Sequence, residues 1–249
     1  MIPVSVFIVA QDEAQNIERV LQSVKNFAEV IVVDSGSTDN TVSLAIEAGA
    51  TVIHQPWLGY AGQKQFALEH CTQDWVLNLD ADEELTPNTV AVIQDTITKD
   101  NVASLRLVRD DIFMDKYPAR WMKSANHLRL YRRENAHFDT TEQVHETAIV
   151  KGREIRTDVA FTHYGYNRID DLVTKNNLYS TLRAEDKFAH NKKPSVIKLA
   201  LILPITFIQK YLLQGRVFNG KRGLILATID AFYAFMKEAK LWEKYLTKA

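Results

Sequence analysis

The sequence predicts an α/β fold, a doubly wound sheet with a helical C-terminal appendage. Three observations predict it. From Val4 to Leu79, short apolar runs alternate with stretches of helical spacing, the pace of a doubly wound parallel sheet. The run Trp75-Val76-Leu77-Asn78-Leu79 passes straight into Asp80-Ala81-Asp82-Glu83-Glu84, as a buried strand ending at a ligand site does. From Arg168 onward, Ile169, Leu172, Val173, Tyr179 and Leu182 fall on one side of a helix.

The elements follow in order. Val4 to Ala10 is the first strand, rich in β-branched residues. Asp12 or Asn16 is expected to cap the next helix, whose apolar face is Ile17, Val20, Leu21 and Val24. Val30 to Val33 is a strand that ends on Asp34. The turn-rich loop Ser35-Gly36-Ser37-Thr38-Asp39-Asn40-Thr41 follows, with Ser37 or Asp39 able to hold the helix after it. That helix stops at Gly49, a natural C′ residue. Ala50 to His54 is a strand, Tyr60 to His70 a helix, and Trp75 to Leu79 the fourth strand. Thr86 caps a helix with Pro87 in its first position, and Val90, Ile93 and Ile97 face the core. Ala103 to Val108 and His127 to Tyr131 read as strands, and a last run, Val159 to Thr162, ends on His163.

Composition narrows the function. The 249 residues suffice for one large domain with an appendage. A formal net charge of -1 argues against a general nucleic-acid binder. The lone Cys71 rules out an internal disulfide and fits a reducing compartment. No Cys/His spacing resembles a zinc site, and Met1-Ile2-Pro3-Val4 lacks the basic leader of a signal peptide. The first strand is not followed by Gly-x-Gly-x-x-Gly, and Gly-Lys-Ser/Thr is absent, which excludes a dinucleotide fingerprint and a P-loop.

The strand ends hold the chemistry. Asp34 is placed to accept hydrogen bonds from a base or ribose, and its small-residue loop lets a nucleotide approach. Asp80 and Asp82, two apart where the strand turns, offer oxygen ligands for Mg2+ or Mn2+ shared with substrate phosphates. Such an ion would stabilise negative charge on those phosphates, helped by a basic residue such as Lys64 or Arg132.

These residues carry a resemblance. Val4 to Ile17, Val32 to Thr41 and Leu79-Asp80-Ala81-Asp82-Glu83 resemble the three motifs of the family 2 glycosyltransferases, in order. The resemblance implies a GT-A type doubly wound mixed sheet, the nucleotide-diphospho-sugar transferase fold, with inversion at the anomeric carbon. By position, Ala10, Glu13, Asp34, Lys64 and Asp80 would contact the nucleotide sugar. Asp82 would bind a divalent metal, with Asp80 beside it and His163 as a third ligand of the kind many family members supply late in the chain. The run Val144-His145-Glu146 after Arg129-Leu130-Tyr131-Arg132 resembles a subgroup that adds β-1,4-glucose to an inner-core heptose of lipopolysaccharide. That implies UDP-glucose as donor, Glu146 as general base and Glu142 as the alternative base. The expected domains are 1–167, split into a nucleotide-sugar half (1–100) and an acceptor and base half (101–167), then a helical region, 168–249.

The acceptor side is read from basic and aromatic residues: Arg120, Trp121, Arg132 and His145, with Lys175 and Tyr179 sharing a helix face. Val196 to Leu213 is the most apolar stretch, but Lys198 and Pro204 interrupt it, so a spanning helix is not expected. Apolar faces beside Lys and Arg suit peripheral contact with the cytoplasmic face of an anionic inner membrane, or packing on the domain or on a second copy of the chain. Two other classes compete: a nucleotidyltransferase, for which Gln11-Asp12-Glu13 is the wrong chemistry, and a non-catalytic sugar-nucleotide binder, which needs no base.

Overall fold

The computed structural model describes residues 1–122, 124–140, 147–165 and 168–247. The chain forms two compact units, Met1–Asp110 with Ser124–Tyr164, and Asp111–Lys123 with Gly165–Ala249.

The first unit opens with β1 (Ile2–Ala10), α1 (Ile17–Val24), β2 (Phe27–Asp34), α2 (Thr41–Glu47), β3 (Thr51–His54), α3 (Tyr60–Glu69) and β4 (Trp75–Asp80). A two-residue β5 (Glu83–Glu84), α4 (Pro87–Ile97), β6 (Ser104–Asp111), β7 (Asn126–Arg132), β8 (Ala136–His137), β9 (Ile149–Val150) and β10 (Glu154–His163) follow. Eight strands form one sheet in the order β3-β2-β1-β4-β7-β6-β10-β5, while β8 and β9 pair separately. β3, β2, β1 and β4 are parallel; β7 then runs antiparallel to β4, and β6 antiparallel to β7, so the sheet is mixed.

The core follows from the apolar periodicities. All four residues expected on the inner face of α1, Ile17, Val20, Leu21 and Val24, are buried and pack with Val4, Val6, Ile8, Leu77 and Leu79. The other sheet face packs Phe7, Ile31, Val33 and Val76 against Ala67 and Leu68 of α3. At α4, Thr86 accepts a hydrogen bond from the Thr89 amide, Pro87 holds the first helical position, and Ile93 is fully buried. The cap expected at α1 is not made. Asn16 occupies the position without a side-chain cap bond, and Asp12, at φ 55°, instead accepts from the amide and hydroxyl of Thr38, tying the first loop to the second. Asp39 completes the tie by accepting from the amides of Ala14 and Thr41.

The second unit is helical: α5 (Ile169–Ala189), α6 (Val196–Ile208) continued by a π-helical turn over Gln209–Leu213, a 3-10 turn over Arg216–Asn219, and α7 (Gly220–Leu246). α7 packs on both α5 and α6. Its buried stripe, Gly223, Ala227, Ala231 and Ala234, is small enough to let neighbours close in. A β-carbon on Gly223 would lie 1.8 Å from the Arg216 carbonyl oxygen, so that position admits only glycine. The segment 111–122 rests on the corner before α7: Ala119 donates its amide to Asn219 Oδ1 (2.6 Å) and Arg222 Nη1 donates to the Phe113 carbonyl (3.2 Å).

Candidate active site

The strand order reverses between β1 and its two neighbours, and in open α/β sheets ligands bind where that happens. Register pairs Ala10 with Asp34 on one side of β1 and Val9 with Asp80 on the other. The two aspartates therefore flank the end of β1, about 10 Å apart across two strand spacings.

Asp34 is buried. It accepts from the amides of Gly36 (3.0 Å) and Ser37 (3.1 Å), and His54 Nδ1 lies 3.3 Å from Oδ2. Gly36 adopts φ 101°, which lets the loop turn its amide back onto the carboxylate. Burial works to raise the Asp34 pKa, but the bonds from Ser37, Gly36 and His54 outweigh it and hold the group below its ordinary value. Beside it, the Ala10 carbonyl accepts from the Ser35 amide (2.9 Å), and Glu13 receives Asn16 Nδ2 on Oε2 (2.8 Å).

Asp80 meets two cations. Lys64 Nζ, from α3, lies 3.1 Å from Oδ1, and Arg129 Nη2, from β7, lies 2.8 Å from Oδ2. Burial works to raise its pKa, and Arg129 and Lys64 more than reverse that, holding it well below the usual carboxylate range. Arg129 also bonds to Glu83 and sits 5.5 Å above the Phe161 ring. Glu83 is 1% exposed and accepts the Asp80 amide on Oε2 (3.1 Å). Burial pushes Glu83 up to about 7, against the pull of Arg129 and His163. Neither Arg129 nor Glu83 was marked as a site residue by the sequence. The available signal was an arginine inside the apolar run Leu128-Arg129-Leu130-Tyr131, which a buried position tolerates only with carboxylate partners.

The remaining acidic residue of the motif points elsewhere. Asp82 Oδ2 lies 3.2 Å from Nε2 of the buried His163. β10 returns antiparallel to β5, pairing His163 with Glu83 and Thr162 with Glu84. The Tyr164 amide bonds to the Asp82 carbonyl (2.9 Å), its hydroxyl to Glu84 Oε2 (2.7 Å), and Arg19 covers its ring at 4.0 Å. Of the three metal ligands expected, Asp82 and His163 thus face each other while Asp80 faces cations on both oxygens. One carboxylate and one imidazole are a donor set that fits Mg2+ or Mn2+ completing its shell with phosphate and water. Among the described residues, no group of three or more His, Cys, Asp or Glu side chains is arranged to hold an ion alone.

Other expected residues fall in different places. Arg132 pairs with Trp75 at the opposite end of β4 from Asp80, stacks on the Trp75 ring at 4.7 Å and gives Nε to the Val102 carbonyl (3.1 Å). It is corrected from an acceptor or leaving-group residue to a structural one, because its strand carries it away from the acidic end. Arg120 and Trp121 belong to the second unit, stacked at 5.7 Å, with Trp121 70% exposed. Lys175 and Tyr179 share α5 in the same unit. Glu142, His145 and Glu146 lie outside the described residues.

Comparison with known proteins gives the family and the fold. The family model "Glycosyl transferase family 2" matches residues 5–155, and the chain belongs to that family. It is a glycosyltransferase with a GT-A fold. It is 34% identical to the lipopolysaccharide core biosynthesis glycosyltransferase LpsC of Rhizobium meliloti, over all of this chain and 95% of that protein. An uncharacterized glycosyltransferase of Rickettsia felis is 35% identical over 98% of this chain and 90% of its own length. Among solved structures, the mannosyltransferase PcManGT from Pyrobaculum calidifontis, in complex with GDP-Man and Mn2+, superposes with a TM-score of 0.61 at 16% identity, covering 96% of this chain and 87% of that one. At that identity it supports the fold alone.

Proposed function

We propose that the chain is an inverting, metal-assisted glycosyltransferase that moves glucose from UDP-glucose onto an inner-core heptose of lipopolysaccharide. The full-length similarity to a lipopolysaccharide core enzyme supports the acceptor class. The observation that carries the mechanism is the split of the acidic strand end into two groups, Asp80 with Lys64 and Arg129, and Asp82 with His163.

Asp34 accepts hydrogen bonds from the uracil or ribose, beside Ala10 and Glu13. Asp80, held by its two cations, fixes the ribose side. Asp82 and His163 would hold a divalent ion, which when bound would neutralise charge on the departing diphosphate. Glu146 takes the proton from the acceptor hydroxyl as that oxygen bonds to the anomeric carbon and the bond to the diphosphate breaks on the opposite face; Glu142 is the alternative base. Residues 1–167 form the catalytic domain, with acceptor contacts from Arg120, Trp121, His145, Lys175 and Tyr179. Residues 168–249 hold the enzyme peripherally on the cytoplasmic face of the inner membrane.

The test is nucleotide release from a panel of UDP- and GDP-sugars, with Mn2+ or chelator, with and without a heptose-terminated core acceptor. The expected result is metal-dependent release from UDP-glucose, stimulated by the acceptor, with Glu146→Gln losing about 10²- to 10⁴-fold in rate. If UDP and metal fail to bind together in calorimetry, this reading fails.

A further inference from the structure

The second unit contains a helix with two apolar faces and a partner on only one. Along α6 and its π-helical extension, Leu199, Ile202, Thr206 and Lys210 are half-buried, the spacing of a face turned to a neighbour. Ile197, Leu201, Ile205, Ile208 and Leu212 form a second stripe at helical spacing, and every one is exposed. No residue of α6 is fully buried. Val196–Leu213 is 18 residues long and apolar enough to cross a bilayer by length and composition alone.

Ion pairs decide between crossing a bilayer and lying on it. Near the start of α6, Lys198 Nζ lies 3.2 Å from Glu238 of α7, which Lys187 also binds. Past its end, Lys210 Nζ lies 3.6 Å from Asp230 of α7, which Arg216 approaches to 2.9 Å. α6 is thus clipped to α7 at both ends. Crossing the membrane would draw Asp230, Glu238 and their four cations into hydrocarbon, where buried charge is costly. A helix lying in the interface leaves those clips in water.

The surrounding charge identifies the surface. Between Asp186 and Asp230 the chain has 43 consecutive residues without an Asp or Glu, and they include eight Lys or Arg. Lys192 and Lys193 stand exposed just before α6, and Lys221 just after the corner that follows it. That corner also carries exposed aromatics. Phe218 is 59% exposed, and the segment pinned there through Ala119 and Arg222 presents Tyr117 and Trp121. Gly215, at φ 75°, allows this approach, since a β-carbon there would lie 2.6 Å from the Trp121 carbonyl oxygen. Tyr and Trp favour the headgroup level of a bilayer.

We infer that α6 and the 215–221 corner form an in-plane docking surface for an anionic lipid bilayer, with the stripe Ile197, Leu201, Ile205, Ile208 and Leu212 buried in the acyl boundary and Lys192, Lys193 and Lys221 at the headgroups. Tyr117 belongs to this surface as an interfacial anchor. The inference deepens the peripheral membrane contact proposed above by naming its face, its depth and its lipid charge.

The test uses the full chain and sealed vesicles of phosphatidylcholine, with or without phosphatidylglycerol. Flotation with the phosphatidylglycerol vesicles alone is expected. Lys192→Gln and Lys193→Gln, both far from the acidic strand end in sequence and on the surface, should each weaken binding roughly fivefold. An environment-sensitive dye on Leu201→Cys should report an apolar surrounding on binding. The native Cys71 gives no background, because burial pushes its thiol up to about 12. In separate variants, Lys192→Cys and Gln214→Cys should both react with a membrane-impermeant maleimide added outside the vesicles. Protection of one of the two would mean that α6 spans, and would overturn the proposal. So would equal binding to both vesicle types, or no flotation together with a stable dimer that covers Leu201. Nucleotide release in solution separates the two readings: release from UDP-glucose without flotation sinks the docking surface alone, and flotation without release from UDP-glucose, with or without acceptor, sinks the UDP-glucose reading alone.

Discussion

Arg129 and Arg132 stand three residues apart on β7 and serve opposite ends of the sheet. Arg129 is enclosed at the acidic end, bonded to Asp80 and Glu83 and lying over Phe161. Arg132 caps the other end, on the ring of Trp75 and the carbonyls of Val102 and Lys99. The same side chain is charge-matched in one place and only hydrogen-bonded and stacked in the other. The difference marks where charge is handled: three carboxylates, a lysine and an arginine share the Asp80 end of β4, and the other end asks only for donors to close the backbone.

Four experiments break or sharpen this contrast. Arg129→Met leaves Glu83 and Asp80 without their buried partner and should cost about 3–5 kcal/mol in urea unfolding, with Arg129→Lys recovering part. A cost near that of Arg132→Met would erase the contrast. Asp82→Ala should lower metal-dependent nucleotide release by about 10²- to 10³-fold while the unfolding midpoint stays put, because Asp82 faces His163 and not the arginine. A matching loss of stability would place Asp82 inside the Arg129 network. Asp34 gives a pH-dependent effect. Its pKa is lowered on folding, so its stabilisation is present above the unfolded value of 3.8 and disappears as pH falls through the folded one. Asp34→Asn should therefore be less stable than the parent at neutral pH, with the gap closing in urea titrations as pH drops below about 4. A gap that stays constant with pH would assign the loss to packing. The smallest effect belongs to Arg132→Met, about 1 kcal/mol from the lost stacking and donors, with unchanged turnover.

Strand ends made much of the site legible in the sequence. Asp34 and Asp80 each close an apolar run, and Asp82 stands two positions further on, so all three carboxylates fall at the same edge of the sheet. The buried face of α1 and the Thr86-Pro87 start of α4 were equally plain, since both depend on residues within two turns of each other. What was not legible came from strands that return out of order. Arg129, inside an apolar run, signals a buried charge but not its partners until β7 is known to lie beside β4, and Arg132 looks like site chemistry until the antiparallel direction carries it away. Asp12 looked like a helix cap because caps are local, whereas its partner, Thr38, belongs to the next loop.

The pairing of β10 with β5 has a consequence for assembly. Glu83 and Glu84 form a strand only because His163 and Thr162 come back to them, and the hydroxyl of Tyr164 reaches Glu84 across 80 positions of sequence. The acidic turn is encoded early in the chain but shaped late. Closing a loop of that length is slow compared with forming neighbouring strand and helix contacts. A chain that has completed β1 to β4 therefore holds Asp34 and Asp80 with their early partners, but still lacks the His163 that faces Asp82 and the Arg129 that meets Asp80.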